Sequence, residues 1–185
     1  MPTEWTVRAV LRATAPVLVA LTLVELGSGL VLGSFEAQLL AAPSLLVLVP
    51  VTIGTAGNLG SVLAARLSTA FHLGTLSFAP GDDQLAGNAL ATVLLAVTVF
   101  PVVGAGAWVL AAVTVGTRLG PGTVLVVATA SGVTMAVLVV AVTLVATYAA
   151  YRFSLDPDDV VVPVVTNVCD VLGVLVLFGA VRAFT

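Results

Sequence analysis

Apolar residues run along this chain in long stretches, broken only by short clusters of polar and turn-forming residues. The alternation of a half-buried strand does not organise them, and neither does the narrow stripe of a soluble amphipathic helix. Five stretches, near 13–34, 43–68, 85–116, 123–150 and 160–184, are each long enough to cross a hydrocarbon core, which takes about 20 residues. The connectors "FEAQLLAAP", "TAFHLGTLSFAPGDDQ", "TRLGPG" and "RFSLDPDD" carry the turn and charge signals between them. Backbone groups in lipid must be paired within their own segment, and the dyad pattern of a membrane barrel is absent, so the stretches read as helices. The pattern predicts an all-α integral membrane fold with five transmembrane helices per chain. Residues 1–12, with Trp5, Arg8 and Arg12, read as a short interfacial segment ahead of a five-helix transmembrane domain at 13–185. The apolar run after Arg12 outlasts a signal-peptide core and lacks a small-residue cleavage site, so it reads as a span.

Composition strengthens this reading. Sixty per cent of the 185 residues are hydrophobic and 8% are charged, against roughly 25% charged in a soluble domain. Lysine is absent and no basic patch exists, so no nucleic-acid partner is expected and the only surroundings implied are membrane lipid. One cysteine, Cys169, excludes an intramolecular disulfide, and no His/Cys cluster suggests zinc, iron or an organic cofactor. Nothing in the pattern suggests an enzyme. Arg8, Arg12, Arg66 and Arg152 fall on one side of the spans and Arg118 and Arg182 on the other. The positive-inside rule then places the N-terminus in the cytoplasm and the C-terminus outside a cell (plasma) membrane. In "SLDPDDV", Asp156 can cap the fifth helix, Pro157 suits its first position, and Asp158 and Asp159 suit its positive end. The same acids would also serve as a cytoplasmic cation-collecting loop.

Two acids interrupt the apolar spans. Asp170 lies ten residues in from Val160, about 15 Å deep, and Glu25 is similarly deep in the first span. A carboxylate there costs roughly 2.5–3.5 kcal/mol on insertion scales, so it needs a cavity, a partner or an ion. The alternative is a carboxyl that bonds one helix to another. Pro163, Thr166 or Asn167, Asp170 and Gly173 recur at helical spacing on one face, and Pro50, Gly54, Gly57, Asn58 and Ser61 do so in the second span. Small residues alone would mean helix packing. With amide, hydroxyl and carboxylate oxygens added, the stripes suit a hard cation such as Mg²⁺, which keeps several of its waters. Cys169 points away around the helix and reads as packing, and His72 reads as a loop residue at the interface.

"PSLLVLVPVTIGTAGNLGSVLAARLSTAFHLGTL" resembles the signature of MgtE-type magnesium transporters and the related solute-carrier family 41, and "LDPDDVVVPVVTNVCDVLGVLVLFGA" is similar to the last helix of that family. The resemblance implies a half-size, prokaryotic form without the cytoplasmic regulatory domains of typical bacterial relatives. It implies a homodimer, or a heterodimer of two half-size chains, around a cation pathway lined by the second and fifth helices. By position, Asp170 is its main acidic residue, with Asn58, Thr166 and Asn167 as pathway-side polar residues and Glu25, Gly54, Gly57 and Gly173 in support. The expected function is transport of a divalent cation, Mg²⁺ above others. Open alternatives are a channel, a sodium- or proton-coupled exchanger, and a non-transporting assembly subunit whose acids only join helices.

Overall fold

Proline and aspartate set where the helices begin. In the computed structural model, which describes residues 6–78 and 81–185, Pro43, Pro121 and Pro157 open three helices at a position where a missing N–H costs nothing. Asp156 accepts the backbone N–H of Asp158 at 3.0 Å, and Asp82 accepts those of Gln84 and Leu85 at 2.9 and 3.2 Å. The elements are α1 (Val7–Gly33), α2 (Glu36–Ala41), α3 (Pro43–His72), α4 (Asp83–Thr114), α5 (Pro121–Arg152) and α6 (Pro157–Phe184). Five of these, all but α2, are long and apolar enough to cross a membrane. At 27 to 32 residues they outlast the hydrocarbon thickness, so their ends carry the polar residues of the connectors. The short α2 falls within the connector "FEAQLLAAP". Arg8 and Arg12 lie in the first turns of α1, while Trp5 lies outside the described residues.

Helices α3, α4, α5 and α6 pack together, and α1 leans on the side of α6 that they leave open. Successive long helices run in opposite directions, except that α1 and α6 run the same way: Ser28 meets Asp170, and Phe35 meets Phe178. One apolar cluster gathers Leu45, Leu48, Val124, Val127, Leu177 and Phe178. A second gathers Ala56, Phe100, Met135, Val139, Val161, Val165 and Cys169. The large apolar side chains left outside, such as Leu23, Leu30, Val102 and Val145, face what would be lipid, where exposure carries no hydrophobic cost.

Glycine sets the closeness of the α3–α6 seam at two points. A Cβ on Gly173 would lie 2.7 Å from Ile53, and one on Gly60 would overlap Val165. At the far end, the Phe35 and Phe178 rings stack at 4.0 Å and the Arg182 guanidinium lies 5.6 Å from the Phe35 ring centre. This stack pins the α1–α2 corner to the end of α6. At the opposite end, Phe71 and Phe78 pack on Tyr148 and Tyr151, an aromatic group suited to a membrane interface.

Candidate cation pathway

Near the centre of α6 two residues turn polar side chains back onto carbonyls of their own helix. Thr166 Oγ1 donates to the carbonyls of Val162 and Pro163, each at 3.1 Å, and Asn167 Nδ2 donates to that of Pro163 at 3.0 Å. The Asn167 side chain is then half-satisfied: the residue is only 6% exposed and its Oδ1 has no hydrogen-bond partner. Leaving such an oxygen bare in a low-dielectric interior costs about 1–3 kcal/mol, so it calls for a water or a cation. Three other side-chain oxygens share this condition among the described residues: those of Gln38, Ser44 and Thr52. They lie on α2 and the first half of α3.

Asp170 follows Asn167 by three residues and is half-buried on the same face. Helix α1 reaches it from the side. Ser28, the one buried residue of α1 among those described, donates its hydroxyl to the Asp170 carbonyl at 2.8 Å. Glu25, three residues earlier on the same face of α1, comes within electrostatic reach of the Asp170 carboxyl. Asp170 and Asn167, with its unpartnered amide oxygen, therefore share one face midway along α6, and Glu25, exposed on α1, acts on that face electrostatically.

The other expected residues divide between the α3–α6 seam and an open face of α3. Thr166 faces Gly57, where a Cβ would sit 4.0 Å from its methyl group. Gly173 is buried in the seam against Ile53 and acts as a spacer there. Gly54 and Asn58 are exposed on an open face of α3, with nothing within 4 Å of a Cβ built at Gly54. Cys169 points into the apolar cluster shared with α3, α4 and α5, away from the polar centre.

A second group forms at the end of the seam. His72 closes α3, and its Nε2 lies 3.8 Å from Asp156 Oδ1. His72 Nδ1 lies 2.9 Å from the Ser68 carbonyl, and the Ser68 hydroxyl donates to Asp158 Oδ1 at 2.6 Å. One potential ligand atom from each of His72, Asp156 and Asp158 falls within 4.8 Å of the others. His72, expected in a loop, is the last residue of α3. The signal that places it is the antiparallel pairing of α3 with α6, which sets the end of "RLSTAFH" beside the start of "DPDD". Asp82, in the neighbouring connector, has its pKa lowered to about 2 by the hydroxyl and backbone N–H of Ser77 and the N–H groups that open α4.

Residues 49–180 match the family MgtE, described as "Divalent cation transporter". The chain is also similar to solute carrier family 41 member 3 of Rattus norvegicus, at 26% identity over 136 residues, covering 72% of this chain and 29% of the relative. The Mus musculus protein of the same name is 25% identical over 136 residues, covering 72% and 28%. The chain thus spans less than a third of the length of these curated relatives. The matched region contains α4, α5 and nearly all of α3 and α6, and so Asn58, Thr166, Asn167 and Asp170 with their open face and polar centre; the chain is a multi-pass membrane protein that belongs to the MgtE divalent cation transporter family.

Proposed function

We propose that the chain transports Mg²⁺ across the plasma membrane as a dimer, along a pathway lined by α3 and α6, with its N-terminus cytoplasmic and its C-terminus outside. The observation that carries this reading is that Asp170 and the bare Asn167 Oδ1 share one face midway along α6. A role as helix glue alone calls for polar groups that satisfy one another, and Asn167 Oδ1 is satisfied by none. Mg²⁺ holds its waters tightly and is bound through one or two carboxylates, so the ion passes hydrated, with Asp170 supplying charge. Asn58, Thr166 and Asn167 orient the waters, and Glu25 adds negative potential from the flank. A two-fold axis beside α6 would bring a second Asp170 to the same ion and match its two charges. The group His72, Asp156 and Asp158 lies at the end where the positive-inside rule puts the cytoplasm, and would gather cations at that mouth.

The test is uptake into liposomes that contain only this purified chain, followed with an entrapped Mg²⁺ indicator. Saturable uptake above that of empty liposomes is expected. Flux no greater than in empty liposomes would return the chain to the role of a non-transporting subunit. Imposed sodium and proton gradients then separate exchange from channel conduction, since only an exchanger's Mg²⁺ flux follows them.

A further inference from the structure

Beside the pathway stripe, at the end of the bundle that holds His72, α3 and α4 part to leave a groove of about 580 Å³. Its walls are ordered. Val62 and Ala65 of α3 line the apolar part toward the bundle centre, Arg66, Gln84 and Asn88 form the polar part nearer the helix ends, and Leu73 lines the groove beyond them. Arg66 lies six residues before the end of α3, about 9 Å along the helix, within reach of the interface for a long side chain. Gln84 and Asn88 belong to the first two turns of α4, at the same level.

Arg66 carries a charge that the protein leaves unmatched. Its guanidinium donates to Asn88 Oδ1 at 3.4 Å, and among the described residues no carboxylate lies within ion-pair distance of it. A guanidinium at the edge of a hydrocarbon core needs an anion, and its planar fork of donors fits a phosphate with two parallel bonds. The Asn88 amide is already turned, with its Oδ1 on Arg66 and its Nδ2 on the Gln84 carbonyl. The Gln84 amide NH₂ stands beside them on the rim as a neutral donor.

We infer that this groove is a binding site for an anionic phospholipid, with the headgroup phosphate on Arg66 and Gln84 and an acyl chain along Val62 and Ala65. The order of the walls, charged at the helix ends and apolar toward the bundle centre, is the order of a lipid in its own leaflet. A second copy of the chain would instead have to bring an acid to this depth, and a soluble anion would leave the apolar part unfilled.

The test uses the full chain purified in detergent and mixed with phosphatidylglycerol or phosphatidylcholine of identical acyl chains. Native mass spectrometry counts the lipid retained per chain. Wild-type protein is expected to retain phosphatidylglycerol about fivefold over phosphatidylcholine, the equivalent of about 1 kcal/mol for one arginine at a membrane surface. Arg66→Gln should abolish that preference, and Arg66→Lys should keep most of it. If Arg66→Gln does not fold, Gln84→Leu, at an exposed rim position, should still reduce the preference. Equal retention of the two lipids by wild-type protein, or an undiminished preference in the folded Arg66→Gln or Gln84→Leu protein, would overturn the assignment. A disulfide between two copies through Val62→Cys in liposomes would also overturn it, because it would show the groove filled by another chain.

Discussion

Where α4 meets α5, the Phe100 ring lies so close over Gly132 that a Cβ there would overlap it, and Gly104 lies where a Cβ would stand 2.8 Å from that of Ala128. No charged residue enters that seam, and Phe100 is fully buried. Where α1 meets α6, a single buried serine makes the polar link, Glu25 bears electrostatically on Asp170, and an amide oxygen goes without a partner. The first seam is held by close packing and would gain nothing from an ion. The second is poorly satisfied by the protein alone. The contrast separates a closely packed scaffold seam from a polar flank of α6, which is the working flank under the proposed pathway.

Substitutions should therefore act differently on the two seams. Gly132→Ala drives a methyl group into the Phe100 ring and should cost about 3 kcal/mol, the upper part of the range for overpacked cores, seen as a lower midpoint in thermal unfolding. Ala at Gly106, on the same pair of helices but with nothing within 4 Å, should instead stabilise by about 0.5–1 kcal/mol. Equal effects at the two glycines would remove the claim that the α4–α5 seam is closely fitted.

On the other flank, Glu25→Gln should leave a folded protein with Mg²⁺ uptake reduced about fivefold at low Mg²⁺, the equivalent of ~1 kcal/mol of lost cation attraction. Wild-type uptake across a range of Mg²⁺ concentrations would take Glu25 out of the site. Ser28→Ala removes the hydroxyl bond to the Asp170 carbonyl and should lower stability by about 0.6 kcal/mol, the average for bonds between membrane helices. A loss several times larger would mean that α1 is held as firmly as the scaffold.

Asp82 lies outside both seams and serves as a control. Its lowered pKa means that the ionised form is favoured by folding, so its contribution is fully present above the unfolded value near 4. That contribution is lost as pH falls through about 2. Asp82→Ala should lower the unfolding midpoint at neutral pH without changing Mg²⁺ flux per folded chain. Its difference from wild type should close as pH drops from about 4 to 2.

The division between the two seams was only partly legible in the sequence. The five spans could be read because lipid demands long apolar runs, and Asp170 stood out because a carboxylate in such a run is costly. The helix ends reach further than those runs, as with α3 ending at His72, because a helix continues into the polar interface after the hydrocarbon stops. Three features could not be read. Helix α2 is a single short turn-rich piece without a pattern of its own. The bare Asn167 Oδ1 depends on which carbonyl its amide reaches. The approach of Glu25 to Asp170 depends on α1 packing parallel to α6 across most of the chain length, and spacing within one helix carries no information about that.

The most direct test of the account is Mg²⁺ uptake by liposomes holding Asp170→Asn beside liposomes holding wild-type protein, with equal amounts of folded protein and the oligomeric state measured in both. The exchange keeps size while removing the charge at the centre of α6 and turning one acceptor oxygen into a donor. The account predicts that the variant still folds and forms the dimer but loses nearly all uptake. Wild-type Mg²⁺ flux in the folded variant would contradict it, because the cation would then cross without the carboxylate around which the working flank is built.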